Sequence, residues 1–192
     1  NLDFDLFAKS LIDYEYYSRL ETYPFAHLEY TNKNIQDSLP ENYYDFRKKI
    51  DFNNEKLSDF RPFTHYLAVM LNSVVAQKKL KNDFEKNVTK LNIVDSLISN
   101  EKVKNKVLNN IAFVYLLEDQ NISNNNEFLK RYFEISTDST QQNEIIKIKK
   151  SIKNLTNNHK LPKVDLVDSN DIAFDLNSKI NNKTIIYFWT KN

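Results

Sequence analysis

The sequence predicts a mainly α protein, an antiparallel helical domain over residues 1–156 followed over 157–192 by the first β-strands of an incomplete α/β domain. Three observations predict it. Apolar residues recur at helical spacing from Leu2 to Leu155. After Asn158 the period falls to two, with Val164 and Leu166, then Ile172, Phe174 and Leu176, alternating with polar residues. The run Ile185-Ile186-Tyr187-Phe188-Trp189 is too apolar for a surface and reads as a strand covered on both faces. Such a strand needs neighbours and covering helices that residues up to 192 do not supply. The expectation is therefore the first part of a larger protein, one whole domain and the start of another.

The elements follow in order. Leu2, Leu6, Phe7, Leu11, Tyr14 and Tyr17 lie at helical spacing, and Pro24 is expected to break that helix. Ser38-Leu39-Pro40-Glu41 has the form of a capping box, opening a short helix over 41–50 that buries Ile50, Tyr44 and either Phe46 or Tyr43. A helix after Pro62 carries Phe63, Leu67, Met70 and Val74, widened by Tyr66 and Leu71. Leu91, Val94, Leu97 and Ile98 mark a shorter helix. Val103, Val107, Leu108, Ile111, Val114 and Tyr115 mark the next, starting at Asn100. Phe128, Leu129, Tyr132 and Phe133 mark another, capped by Asn124. Ser139-Thr140-Gln141-Gln142 reads as a second capping box, opening Ile145, Ile146, Ile148, Ile152 and Leu155. Short polar loops make consecutive helices antiparallel neighbours. Ser169-Asn170 supplies a hairpin turn, 178–182 a short connection, and the domain boundary falls near Asn157-Asn158-His159-Lys160.

Composition narrows the function classes. A 41% hydrophobic content with 13% aromatic supports a folded core. Lys+Arg 27 against Asp+Glu 26 lacks the basic excess of a nucleic-acid binder, so nucleic acid is not an expected partner. No apolar run approaches the length of a transmembrane helix. With Cys 0, the span holds no disulfide and no thiolate metal site. Gly 0 is the anomaly, because average usage of about 7% would give roughly 13. Phosphate loops and dinucleotide fingerprints, which need glycine, are excluded. Asparagine is abundant in pairs such as Asn53-Asn54 and Asn109-Asn110, and is the next-best residue for left-handed turn and helix-end positions. AT-rich codons account for the bias.

The segment Leu161-Pro162 … Leu166-Val167-Asp168-Ser169-Asn170 … Asp175-Leu176 … Lys183-Thr184-Ile185-Ile186-Tyr187-Phe188-Trp189 resembles the entry to a thioredoxin-like domain. It is similar to the envelope thiol-disulfide oxidoreductase branch that includes the TlpA and ResA proteins. Asn170-Asp171 stands where that branch has Asn-Gly, and Asn182-Lys183 where it has Gly-Lys. Upstream, the stretches 39–46, 50–57 and 63–67 are similar to the helical N-terminal region of long lipoprotein members. The resemblance implies a thioredoxin-like second domain, a bacterial cell-envelope location in the periplasm or at the outer membrane, and a lipid anchor upstream. Its partners would be other envelope proteins and a larger membrane-associated complex. The family's Cys-x-x-Cys would begin immediately after Asn192, where a helix N-terminus lowers the thiol pKa. Thr190 fits the family's small residue there, but Asn192 stands where an aromatic is common.

Within the chain no catalytic, cofactor-binding or metal-ligating residue is assigned, and no cofactor is expected. His27, His65 and His159 share no ligand spacing. The acidic pairs Asp3/Asp5 and Asp13/Glu15, and the run Lys78, Lys79, Lys81, Glu85, Lys86, read as solvated helix faces. Asp37-Ser38-Leu39, Asp95-Ser96-Leu97 and Asp138-Ser139-Thr140 match a short O-glycan acceptor pattern, two of them also being helix starts. The aromatics carry more. Tyr16 and Tyr17 adjoin, and adjacent helical residues cannot both face one seam. Tyr16, Tyr17, Tyr23 and Tyr43 are the candidate partner contacts. Two functions remain open: a non-catalytic envelope interaction or scaffold protein, and a thiol-disulfide oxidoreductase whose Cys-x-x-Cys lies beyond residue 192.

Overall fold

A computed structural model describes residues 2–78, 80–118, 122–154 and 166–180. Among them the chain is mainly helical with one small two-stranded sheet. It divides into two compact units, residues 1–149 and 150–192. The sequence-expected strand at 185–189 and the extended start at Val164 lie outside the described residues.

The first unit holds α1 (Leu2–Thr31), α2 (Arg61–Gln77), α3 (Asp83–Leu97), α4 (Glu101–Glu118) and α5 (Ile122–Ile135), and most of α6 (Ser139–Asn154). Pro24 does not end α1; it lies buried within the helix. Proline lacks the N–H that would bond the carbonyl four residues back, which belongs to Leu20. The Tyr43 hydroxyl donates to that carbonyl at 2.9 Å, so the break is mended from another segment. α1 ends instead at Asn32, whose φ of 56° is the left-handed cap that glycine usually provides and whose N–H bonds the Leu28 carbonyl at 2.8 Å.

Residues 32–60 form a connection of turns and 3-10 helices rather than the expected helix over 41–50. Ser38 makes no capping bond; of the expected core residues, Phe46 and Ile50 are buried and Tyr43 and Tyr44 half-buried. The connection retraces α1. Tyr43 meets Leu20, Phe46 stacks on Tyr17, and Lys56 pairs with Asp3. α2 therefore starts back at the beginning of α1 and runs parallel to it: Phe7 touches Phe60, and Tyr14 touches Phe63 and Tyr66. The antiparallel expectation fails for this pair because a long return segment, not a short loop, joins them.

It holds where the loops are short. Asp95 near the end of α3 bonds Lys104 near the start of α4. Asn105 early in α4 bonds Thr137 just past α5, and Tyr115 late in α4 packs on Phe128 midway along α5. The core of these helices is the predicted set, with Leu91, Val94, Val103, Leu108, Tyr115, Phe128 and Tyr132 buried. Val114, Leu97 and Leu11 are exposed instead. Asparagines do much of the joining. Asn53 Oδ1 accepts from the Ser99 and Asn100 backbone N–H groups at 2.7 and 2.8 Å, tying the connection to the α3–α4 turn. The N-caps are Asn82, Asn100 and Asp138. Asp138, not Ser139, caps α6, and α5 begins before Asn124, which lies inside it.

In the second unit, β1 (Leu166–Val167) pairs antiparallel with β2 (Ala173–Phe174), and Asp175 caps the short α7 (Leu176–Lys179), which takes in Leu176. The three-residue turn puts Asp171 at φ 61°, again a left-handed site without glycine. Asp168 Oδ1 accepts from the Asn170 and Ile172 N–H groups at 2.8 and 3.1 Å and holds the turn closed.

Candidate functional site

α1 carries aromatics on two sides, with different fates. On the inner side Tyr14 is buried, with ring centroids 5.0 Å from Phe63 and 5.5 Å from Tyr66. Tyr17 stacks nearly parallel on Phe46 at 5.3 Å. One turn further along the same side stands Glu21, whose side chain is 0% exposed. Arg47 meets it with both prongs, Nε to Oε1 at 2.7 Å and Nη2 to Oε2 at 2.6 Å. Its guanidinium also lies 4.0 Å over the Tyr44 ring and reaches Ser73 Oγ on α2 at 3.3 Å. One bidentate pair thus joins α1, the connection and α2.

That centre is not built for catalysis. A carboxylate sealed from solvent, with both oxygens taken by one guanidinium, cannot meet a substrate proton. Its electrostatics show in the neighbours. Burial, then the charge of Glu21, pushes the Tyr66 hydroxyl far above its ordinary pKa. Burial likewise pushes Tyr14 up to about 12. Sequence reasoning missed Glu21 and Arg47. The signal for Glu21 was its place seven residues after Tyr14 and four after Tyr17, on the apolar stripe.

On the outer side Ile12, Tyr16, Tyr23 and Tyr30 are exposed, Tyr30 by 85%. Positions 16, 23 and 30 repeat every seven residues, a spacing that drifts only about 20° per step around a helix. Of the four predicted contacts, Tyr16 and Tyr23 belong to this row. Tyr17 and Tyr43 are held further in, one by its stack on Phe46 and the other by its bond to Leu20. Tyr43 remains close to the row: burial first, then the charges of Tyr44, Tyr23, Glu21 and Tyr16, raise its pKa to about 12. Sequence reasoning passed over Ile12 and left Tyr30, part of the early aromatic cluster, out of the predicted contacts, although its seven-residue spacing from Tyr23 was there to be read.

The other sequence candidates scatter. His27 Nδ1 lies 3.1 Å from both the Lys33 carbonyl and Thr31 Oγ1 at the end of α1, and His65 is exposed on α2. His159 lies outside the described residues. Among the described residues no three His, Asp or Glu side chains cluster as metal ligands, and no helix is long and apolar enough to cross a membrane. Asp3 pairs with Lys56, Asp13 and Glu15 lie at the surface, and Lys78 and Lys81 are exposed. Asp95, in the second acceptor pattern, is bound by Lys104 and Arg131, and Asp138, in the third, is a helix cap. A cleft of about 360 Å³ opens between α2, α3 and α4, with Lys90 and Asn87 among its walls. No family model, curated protein or solved structure matches this chain.

Proposed function

We propose that this chain is a non-catalytic interaction protein of the bacterial cell envelope, its helical unit a docking scaffold ahead of a thioredoxin-like module. The observation that carries the docking role is the exposed row Ile12, Tyr16, Tyr23 and Tyr30 on α1. Large aromatics in water on a helix whose other side is packed are the residues that anchor protein interfaces. Their seven-residue spacing suits an amphipathic helix laid along α1, since such a helix meets its neighbour at that repeat. The partner is therefore an apolar helix face of another envelope protein. The location and the thioredoxin-like module rest on the resemblance of residues 161–189, and the β1–β2 hairpin closed by Asp168 is compatible with it.

Photo-crosslinking residues placed at positions 12, 16, 23 and 30 in cells should trap one and the same protein, whereas position 13 on the neighbouring flank should trap none. Adducts with other copies of this chain alone, or none at any of the four, would overturn the reading. The second reading, a thiol-disulfide oxidoreductase whose Cys-x-x-Cys follows Asn192, is supported by the same resemblance. Insulin reduction by the full-length protein would establish it in place of the scaffold.

A further inference from the structure

The α2–α3–α4 cleft has a mixed lining that the docking role leaves unexplained. Ala68, Leu71, Val107, Ile111 and Val114 give it an apolar surface. His65, Asn72, Asn87, Lys90 and Asn110 stand among them, and no carboxylate of the described residues lines the cleft. Lysine 106 at the rim is already paired, 2.8 Å from Asp59, which also holds Lys102. Lys90 is not. Its half-buried ammonium donates only to Asn87 Oδ1 at 3.2 Å, and no carboxylate among the described residues lies within ion-pairing distance. Asn87 is itself fixed, donating to the Asp83 carbonyl at 2.8 Å.

We propose that this cleft binds a small amphiphilic carboxylate, its hydrocarbon body against Leu71, Val107 and Ile111 and its carboxylate on the Lys90 ammonium beside Asn87. A half-buried cation with no carboxylate of the described residues in direct contact is costly, and an entering anion would relieve that cost through a charge-assisted hydrogen bond. Burial indeed draws the Lys90 pKa below its ordinary value, against the raising pull of Glu118 and Asp83. Asn72 and Asn110 offer amide N–H groups to the second carboxylate oxygen. The single ammonium without a direct carboxylate partner suits a monoanion, and the apolar lining suits a chain rather than a bare ion. The volume of about 360 Å³ lies at the small end of ordinary ligand pockets.

The test is a titration of the isotope-labelled protein with octanoate, octanamide and inorganic phosphate, followed by nuclear magnetic resonance. Octanoate should saturate, with shifts confined to residues of α2, α3 and α4. Octanamide should bind about tenfold more weakly, roughly one charge-assisted bond, and phosphate should not saturate. Lys90→Met should bring octanoate down to the octanamide level, while Lys90→Arg keeps most of the affinity. Absence of saturable octanoate binding to the unaltered protein overturns the proposal, whatever the variants do. So does undiminished octanoate binding by a folded Lys90→Met protein. Phosphate binding as well as octanoate would overturn the assigned ligand class.

Discussion

Two carboxylates each clasp three segments of this protein, and their surroundings make them unequal. Glu21 joins α1, the return connection and α2 through Arg47 at 2.6 and 2.7 Å. Asp95 joins α3, α4 and α5 through Lys104 and Arg131, both at 2.7 Å, with Arg131 steadied by Asn92 at 2.8 Å. The lengths are the same. The Glu21 side chain is 0% exposed, whereas that of Asp95 is 33% exposed. Water competes at Asp95 and screens it; at Glu21 nothing else can take the charge. Burial, not bond length, therefore sets what each clasp contributes when broken.

The largest test of that difference is Glu21→Ala. It leaves the Arg47 guanidinium, largely enclosed, without its anion, and should cost about 3 kcal/mol in urea-induced unfolding. Replacing both partners, Glu21→Leu with Arg47→Met, should lose less than Glu21→Ala alone, because no orphaned charge remains. A double variant as unstable as the single one would show that the pair contributes real attraction rather than mutual rescue. Next comes Tyr43→Phe, which strips the Leu20 carbonyl of the donor that replaces the N–H of Pro24. A loss of about 1–2 kcal/mol is expected, and Pro24→Ala should recover part of it, since a normal helix bond can then form.

Asp95→Asn should be the smallest, about 1 kcal/mol or less at pH 7 and shrinking in high salt. Its pH dependence has a definite sign. The Lys104 hydrogen bond and then that of Arg131, opposed by desolvation, hold the Asp95 carboxyl below its ordinary 3.8. A carboxyl depressed in the folded state stabilises above its unfolded pKa, and that contribution disappears as pH falls through the folded value. The melting-temperature gap between Asp95→Asn and the unaltered protein should therefore close below about pH 4. A gap that persists in acid would mean that the asparagine disturbs packing, not charge.

Tyrosines 16 and 17 show how far the sequence could be read. Their adjacency dictates that they point to different sides of α1, and the structure puts Tyr16 outside and Tyr17 on Phe46. Which of them faces water depends on where the connection runs, and no local pattern encodes that. The stripe Phe63, Tyr66, Leu67, Met70 and Leu71 was legible because periodicity alone decides the buried side of a helix. Lys90 was not: a lysine on α3 looks solvated until α2 and α4 close around it.

By itself the amino-acid sequence determined most helices of the first unit, their apolar faces, the hairpin turn at Ser169-Asn170 and the use of asparagine where glycine is missing. Those follow from spacing and from side chains bonding to their own backbone, which act over a few residues. Tertiary structure alone decided that Pro24 could stay within α1, that α2 runs parallel to it, that Glu21 became a sealed anion and that Lys90 came to line a cleft. Each depends on what a distant segment brings, a hydroxyl from Tyr43 or a guanidinium from Arg47, and desolvation is a property of the assembled core rather than of any short stretch of chain.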